Sequence, residues 1–420
     1  MKKYIEIYNH FKELIQSKQL KSGEKIPSVR KAADIFSVSK TTIQNAYFEL
    51  QADGYIISSE KSGYFVCDNI SLKTQDNNIV INKKDIKYDL KSGDADKECF
   101  DIALWQRYIK SALRQQERLL SYGDVQGEAD LRETLCQYIA QKRNVSASPD
   151  RIVIGAGVNS LLGILCSLIK GRKTVSFPDK SFINGISLFN DYGFEVGIKN
   201  KNADIIYVSP SHMTSFGSVM PIKRRIELLN HIKTTSSIII EDDFDSDFVY
   251  QSKPAPALYA LSGGKNVVYM GSFSNVLVPG IRISFMVLTE ELAAEFHKNK
   301  ERFAQTASKT EQIALCGYIR DGHIYSQTRK IRRRYTEKTK IFYNELKKEI
   351  PSAQLSISEN GINIRLIIDF EKDISVFEDN QISVYIRSYE NGVLKLILIP
   401  SAIPKEEIKN AIFALKKALL

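Results

Sequence analysis

From Tyr88 onward, short apolar runs alternate with segments whose apolar residues recur at helical spacing. Such alternation is typical of strand–helix–strand units, whose strands join in a parallel sheet. The sequence therefore predicts an α/β fold with a mainly parallel sheet over most of the chain. The strand-like runs include Arg151 to Ile154, Thr174 to Phe177, Ile205 to Val208, Ser237 to Ile240, Val267 to Met270 and Ile283 to Leu288.

At 420 residues the chain has room for two or three domains. We expect a small N-terminal domain over residues 1–67, a linker over 68–89 and a large domain over 90–420, whose C-terminal α+β subdomain spans about 300–420. The linker is polar, rich in Asn and Lys, and weakly periodic. It is expected to be a flexible tether, or alternatively an arm that packs on the large domain.

The chain carries a formal net charge of +10. This positive charge favours anionic partners, of which nucleic acid is the first candidate. A solvated lysine-rich surface would give the same net charge. No apolar run approaches the roughly 20 residues needed to cross a bilayer, so we expect a cytoplasmic protein without membrane contact. The five cysteines are scattered without C-x-x-C spacing, which argues against disulfides and a structural zinc site.

Residues 4–66 have the pattern of a winged helix-turn-helix. Ser37-Val38-Ser39 forms a tight turn, and Ser39 suits the N-cap of the helix that follows. The N-terminal end of that helix carries polar side chains that suit contacts in the major groove of DNA. The predicted helices are 4–15, Val29 to Phe36 and Lys40 to about Gln51, and the predicted hairpin strands are Tyr55 to Ser58 and Tyr64 to Val66.

The segments I-P-S-V-R-K-A-A, V-S-K-T-T-I, A-Y-F-E-L-Q-A-D-G-Y-I and S-G-Y-F-V resemble the GntR winged helix-turn-helix along its whole length. The resemblance implies double-stranded operator DNA as a partner. Lys40 stands where that family usually has arginine, so a two-bond contact to guanine becomes a single-point contact. The alternative is a helical protein-interaction module. The residues expected to contact DNA are Ser28, Arg30, Lys40, Thr41, Thr42, Gln44, Lys61 and Gly63.

Two stretches of the large domain suit a bound anion. The loop Y-M-G-S-F-S-N-V-L-V-P-G-I-R over 269–282 combines small residues with the fixed cation Arg282. The stretch I-V-I-G-A-G-V-N-S over 152–160 is a strand, a glycine turn and a helix start, which presents backbone N–H groups to an anion. The glycine pattern alone is weakly specific, because many strand–helix turns need glycine.

The 269–282 loop resembles the active-site loop of the fold-type I aminotransferases, which use pyridoxal phosphate (PLP). In those enzymes the residue after the serine that matches Ser274 is the lysine that forms the Schiff base. Here that residue is Asn275, and an amide cannot form this bond. The resemblance therefore allows PLP as a non-covalent ligand and otherwise implies no cofactor.

Across both domains the chain resembles the MocR/GabR-type transcriptional regulators, and E-D-D-F-D-S-D-F over 241–248 closely resembles a segment of that family. By that resemblance Asp242 faces the pyridine nitrogen, and Phe244 replaces a tyrosine that donates to the cofactor. Asp243 and Asp245 are expected to be surface or capping acids. The implied cofactor-binding residues are Gly157, Val158, Phe182, Asp242, Phe244, Ser272, Ser274, Asn275, Arg282 and Tyr122.

Several of these roles have alternatives. Phe182 is the candidate for stacking on the cofactor, or else packs in the core. His212 contacts a ligand or fixes its loop, and Met213 replaces a glutamine of the family. Tyr122 is expected to reach a phosphate across a dimer interface. Lys395 is the one cation near the expected carboxylate-binding strand, or else faces solvent.

The resemblance implies a bacterial transcriptional regulator that is not an enzyme and has no metal site. It implies a homodimer formed by the large domains, with each DNA-binding domain reaching across to the other protomer. The large domain would sense a small molecule, either a non-covalently bound B6 vitamer or another anion. Two alternatives are a PLP-dependent aminotransferase that uses another amine, and a ligand-independent DNA-binding protein with a degenerate large domain.

Overall fold

The computed structural model of the chain describes residues 2–59, 62–67, 86–91, 94–213, 216–244, 246 and 256–420. The chain divides into two units, Met1–Lys83 and Lys84–Leu420. Among the residues described, no helix combines the length and hydropathy that crossing a bilayer requires. The expected DNA contact Lys61, the acid Asp245 and most of the expected linker lie outside the described residues.

The first unit is a three-helix domain with a β-hairpin. Ile7 and Phe11 are buried on one face of the first helix, and Ile43 and Tyr47 are buried on the third, so apolar faces at helical spacing meet in one core. The Tyr47 hydroxyl donates to the Pro27 carbonyl at 2.8 Å. The elements are α1 (Lys3–Gln16), α2 (Val29–Phe36), α3 (Lys40–Ala52), β1 (Ile56–Ser59) and β2 (Gly63–Val66), with β1 and β2 antiparallel.

The second unit alternates helices and strands. Its helices are α4 (Ile102–Leu113), α5 (Gln116–Leu119), α6 (Ala129–Arg143), α7 (Val158–Leu168), α8 (Ile183–Asp191), α9 (Ile222–Thr235), α10 (Leu258–Ser262), α11 (Glu290–Lys298), α12 (Lys309–Arg320), α13 (His323–Glu349), α14 (Val376–Asp379) and α15 (Ile408–Leu419). Its strands are β3 (Tyr88–Asp89), β4 (Ile152–Gly155), β5 (Thr174–Phe177), β6 (Glu195–Ile198), β7 (Ile205–Val208), β8 (Ile238–Asp242), β9 (Val267–Ser272), β10 (Ser284–Val287), β11 (Gln354–Ile357), β12 (Ile364–Asp369), β13 (Ile382–Ser383), β14 (Tyr385–Glu390) and β15 (Val393–Leu398).

Seven strands form the main sheet in the order β4-β10-β9-β8-β7-β5-β6. The strands β9, β8, β7, β5 and β6 are parallel, whereas β10 is antiparallel to both of its neighbours. Successive side chains point to opposite faces of a strand. Ile239 therefore joins the core on one face of the sheet, and Ile240 joins the core on the other. The expected α/β fold with a mainly parallel sheet is confirmed.

A smaller antiparallel sheet has the order β11-β12-β15-β14. Ile364, Leu366 and Ile368 alternate with less buried residues along β12. They pack in a separate core with apolar residues of α13 and α15, such as Phe342 and Ile412. This part of the chain has the α+β character expected for the C-terminal subdomain.

Strand β3 attaches the start of the second unit to its C-terminal part. It runs parallel to β13, with Tyr88 opposite Ile382. The Tyr88 ring is buried, and its hydroxyl donates to Glu407 at 2.8 Å. This pairing places Tyr88 and Asp89 within the second unit, although the sequence assigned them to the linker.

Candidate functional site

The turn between α2 and α3 is built by serine residues. Ser37 adopts the left-handed conformation, with φ 50° and ψ 46°, which ends α2. The Ser39 side chain accepts the backbone N–H of Thr42 at 3.2 Å and so caps α3. Ser28 caps α2 in the same way, by accepting the Lys31 N–H at 3.3 Å.

The residues expected to contact DNA lie around this turn and on the hairpin. Ser28, Arg30, Lys40, Thr41 and Gln44 are exposed. The capping role of Ser28 leaves its hydroxyl hydrogen available to a phosphate. The arrangement is that of a helix-turn-helix, a motif whose second helix enters the major groove by its N-terminal end.

Thr42 and Gly63 have structural roles of their own. Thr42 is half-buried, and its hydroxyl lies 2.8 Å from the Ser39 hydroxyl. Gly63 begins β2 with φ +113°, a backbone conformation that residues other than glycine rarely adopt. A Cβ at this position would lie 3.1 Å from Lys25 Cε. Both residues therefore shape the surface on which the other expected DNA-contact residues lie.

A cavity of about 510 Å³ opens where the parallel strands β5, β7, β8 and β9 end. In sheets of this kind ligands bind beyond the carboxyl ends of the strands. Nine of the ten expected cofactor-binding residues line this cavity: Gly157, Val158, Phe182, Asp242, Phe244, Ser272, Ser274, Asn275 and Arg282. The tenth, Tyr122, does not line it and is fully exposed.

One part of the cavity is suited to a phosphate. Gly157 precedes α7 with φ +88°, and a Cβ at this position would lie 2.6 Å from Arg282 Nη2. Glycine therefore lets the guanidinium approach the helix start. A helix N-terminus and an adjacent guanidinium both attract an anion. Ser272 and Ser274 border the same region, with their hydroxyl oxygens 3.3 Å apart.

The other part carries a carboxylate and aromatic rings. The Tyr207 hydroxyl donates to Asp242 Oδ2, and both residues are buried. Burial and then the charge of Asp242 raise the pKa of Tyr207 well above its ordinary value, so it remains a neutral donor. Phe182 stacks on Tyr207, with ring centroids 5.2 Å apart and an interplanar angle of 28°. Phe182 thus lines the cavity and also packs against Tyr207.

The loop residues His212 and Met213 also line the cavity. The His212 ring lies 5.2 Å from the Phe244 ring, at an interplanar angle of 38°. The His212 ring therefore packs beside Phe244 in the cavity wall.

The sequence prediction for Asp243 is wrong. It was expected to be a surface or capping acid, but its side chain is fully buried. The Arg143 guanidinium donates to it from Nε at 2.7 Å and from Nη2 at 3.1 Å. The hydroxyls of Tyr269 and Ser211 donate at 2.8 and 3.1 Å. Asp243 thus fixes the end of β8, and the adjacent Asp242, against α6 and β9.

Glu241 is buried on the same strand. It accepts the backbone N–H groups of Leu258 and Tyr259 at 2.8 and 2.9 Å, at the start of α10. Burial, and next the charge of Asp243, raise the pKa of Glu241 to about 7, while these N–H groups and Arg143 oppose the shift. Glu241 therefore retains a proton under mildly acidic conditions.

One wall of the cavity contains residues that were not among the expected ligand contacts. Lys91, Tyr385, Ile397 and Ile399 line the wall that faces the small sheet. Lys91 lies far from the other three in sequence, so no local motif could have grouped it with them. Among the described lining residues Lys395 does not appear, so its expected approach to the ligand is not supported.

Comparison with known proteins agrees with this two-unit architecture. Residues 3–66 match the family described as bacterial regulatory proteins, gntR family. Residues 85–202 and 197–394 match aminotransferase class I and II. A crystal structure of an archaeal alanine:glyoxylate aminotransferase shares the fold, with a TM-score of 0.69 and 22% identity over 79% of this chain and 90% of that chain.

Two relatives match most of the chain. The chain is 31% identical over 389 residues to the uncharacterized HTH-type transcriptional regulator YdeL of Bacillus subtilis (strain 168), which covers 87% of this chain and 83% of that protein. It is 24% identical over 402 residues to the probable rhizopine catabolism regulatory protein MocR of Rhizobium meliloti. This match covers 87% of this chain and 81% of that protein. The chain therefore belongs to the HTH-type transcriptional regulators of the MocR type, in which a gntR-family DNA-binding domain is joined to an aminotransferase class I and II domain.

Proposed function

We propose that this regulator binds operator DNA through α3 and its hairpin, and that its large domain binds a phosphorylated B6 vitamer non-covalently, as a sensor rather than an enzyme. The observation that carries the proposal is the cavity lining. Arg282 and Gly157 form a site suited to an anion, and Asp242 and Asn275 line the same cavity. By the sequence resemblance, Asn275 stands at the position of the Schiff-base lysine of the aminotransferases.

The proposed ligand fits the chemistry of these residues. Arg282 and the start of α7 would hold its phosphate. Asp242, held by Tyr207, would face its ring nitrogen. When bound in an enzyme, PLP supplies an electron sink for reactions of amino acids. Asn275 has no basic amine to hold the aldehyde or to move a proton, and Phe244 has no hydroxyl. Binding without turnover is the expected result.

The ligand proposal is tested by adding PLP to the wild-type protein and to Asn275→Lys, with Asn275→Met as a control of similar size. A ligand that binds the native state raises the unfolding free energy, by about 2.7 kcal/mol at a hundred times its Kd. We expect PLP to stabilise all three proteins. Only Asn275→Lys is expected to keep it through dialysis and to gain the absorption band of a lysine Schiff base.

The same experiment separates the competing functions. Turnover of an amino acid by the wild-type protein with PLP would contradict the sensor proposal in favour of an aminotransferase. Absence of stabilisation in all three proteins would mean that the cavity does not take PLP.

The DNA-contact residues are tested by Lys40→Ala. Removal of one phosphate or base contact is expected to weaken operator binding and to lower the slope of log K against log salt by about 1. Lys21→Ala is the matched control, because Lys21 is exposed and lies outside α3 and the hairpin. Equal affinities for the two variants would contradict the assignment of Lys40.

We further propose that the regulator acts as a homodimer formed by its large domains. The exposure of Tyr122 supports this, since the side chain is free to reach the cavity of a partner protomer. Ligand binding that differs between two arrangements of the dimer would shift its affinity for DNA. Sedimentation of the protein as a monomer at micromolar concentration would contradict the proposal.

A further inference from the structure

The large domain has a second cavity, of about 530 Å³, in addition to the first cavity of about 510 Å³ described above. Side chains along β7 alternate between the two faces of the main sheet. Ile206 and Val208 belong to the core on one face and line the second cavity, whereas Tyr207 belongs to the core on the other face. Neither Ile206 nor Val208 lines the first cavity. The second cavity therefore opens on the sheet face that Ile206 and Val208 share.

The floor of the second cavity is apolar. Ile206, Val208 and Met220 are buried there, and Leu228 of α9 is half-buried beside them. Pockets of a few hundred cubic ångströms with a mainly apolar lining are the usual binding sites of small molecules. The floor thus suits the apolar part of a small ligand.

Three cations surround this apolar floor. Lys199 and Lys201 come from the segment between β6 and β7, and Arg224 comes from α9. Arg224 donates to Glu227 at 3.2 Å, and Glu227 also lines the cavity. Among the described residues, neither lysine ammonium group has a carboxylate within ion-pair distance. The two lysines therefore offer positive charge to an anion that the described part of the chain does not supply.

Hydrogen bonds fix the backbone that carries these lysines. The Lys199 N–H donates to the carbonyl of Phe177, at the end of β5, at 2.9 Å. The His231 Nε2 of α9 lies 2.7 Å from the Lys201 carbonyl, and because a carbonyl only accepts, the ring nitrogen donates. One lysine is thus tied to the sheet and the other to α9, so both are placed by the fold around the cavity.

We propose that the second cavity binds a small amphipathic anion, an aromatic or aliphatic carboxylate. Its apolar body would lie on Ile206, Val208 and Leu228, and its carboxylate would accept from Lys199 and Lys201. The inference goes beyond the proposed function, because this ligand needs no B6 vitamer. Tyr207 lines both cavities and donates to Asp242. The second ligand would therefore contact the side chain that holds the Asp242 carboxylate in the first cavity.

The test compares two probes with the same ring system, naphthalene-2-carboxylate and the uncharged naphthalene-2-carboxamide. Their affinities for the full chain are measured by isothermal titration calorimetry. We expect the double variant Lys199→Ala/Lys201→Ala to bind the carboxylate about tenfold more weakly, as loss of a charge-assisted hydrogen bond requires. Its affinity for the carboxamide should change less than about twofold. The backbone carbonyl that His231 contacts is kept in this variant.

A matched double variant controls for net charge. Lys173→Ala/Lys223→Ala removes the same charge from two exposed lysines that do not line the cavity. It should leave the affinity for either probe within about twofold of wild type. An equal loss of carboxylate binding in the two double variants would point to net charge and would overturn the inference.

Two single variants locate the bound probe. Leu228→Trp places a large ring in the second cavity and should weaken both probes about tenfold or more. Arg282→Ala removes the cation of the first cavity and should leave both affinities unchanged. A loss in Arg282→Ala with none in Leu228→Trp would place the probe in the first cavity and would overturn the inference.

The result for the wild-type protein decides first. If it binds neither probe, the second cavity is not a site for amphipathic anions and the inference fails. Because the probes carry no pyridoxyl group, that failure leaves the proposed function standing. Failure of PLP to stabilise the protein would likewise leave the second cavity untouched. Binding of the carboxylate that depends on Lys199, Lys201 and Leu228 supports the inference.

Discussion

Removal of Asp243 should destabilise the large domain more than most single substitutions. The carboxylate is fully buried and accepts four hydrogen bonds, two of them from the buried Arg143. Asp243→Ala leaves that guanidinium without this carboxylate, and the hydroxyls of Tyr269 and Ser211 lose an acceptor. Breaking a buried ion pair on one side costs about 3–5 kcal/mol. We expect a loss of that size in the unfolding free energy.

Urea denaturation followed by tryptophan fluorescence measures this loss. Trp105 is the single tryptophan of the chain and is buried in the same core as Tyr269. Asp191→Ala is the control, because Asp191 is exposed at the end of α8. The control should stay within about 0.5 kcal/mol of wild type.

A double variant tests the physical reason for the loss. Replacing both partners with apolar residues, as Arg143→Met with Asp243→Leu, removes the uncompensated charge. It should therefore recover more than half of the stability that Asp243→Ala loses. A loss below about 1 kcal/mol for Asp243→Ala, or a double variant less stable than the single one, would refute this reasoning.

Burial raises the pKa of Glu241 from its ordinary value of 4.5 to about 7. Between pH 4.5 and 7 the folded chain therefore keeps a proton on Glu241 that the unfolded chain has lost. Wild-type stability should therefore fall relative to Glu241→Gln as pH rises through this window, as measured by urea denaturation. Gly157→Ala should weaken pyridoxamine 5'-phosphate about tenfold in calorimetry, because the new Cβ displaces Arg282 and the backbone is left-handed. Tyr47→Phe should lower the stability of the DNA-binding unit by about 1 kcal/mol in thermal denaturation, because a buried hydrogen bond is lost.

The fold was largely predictable because its main helices and strands have recognisable local sequence patterns. The strands Thr174–Phe177 and Ile205–Val208 occur at the predicted bounds. The runs are apolar because both faces of a parallel sheet are buried. The helix-turn-helix was predicted within about a residue, since Ser28 and Ser39 are side-chain caps that the sequence displays.

Other elements depend on contacts that local sequence does not show. Strand β6, Glu195–Ile198, is an edge strand with exposed ends and a glycine, and was not predicted. Strand β8 extends to Asp242 because that residue pairs with Met270 of β9. An acidic run looks solvent-facing on its own, and Arg143, the partner of Asp243, lies 100 residues earlier in the chain.

The pairing of β3 with β13 has a mechanical consequence. A pulling force that reached the large domain along the chain from its N-terminal side would load a short series of backbone bonds first. These join Lys87 and Tyr88 to Gln381, and Leu90 to Ser383 and Ile399. The next residue, Lys91, already lines the cavity. Tension on the chain before Lys87 and occupancy of the cavity would thus act on the same few residues.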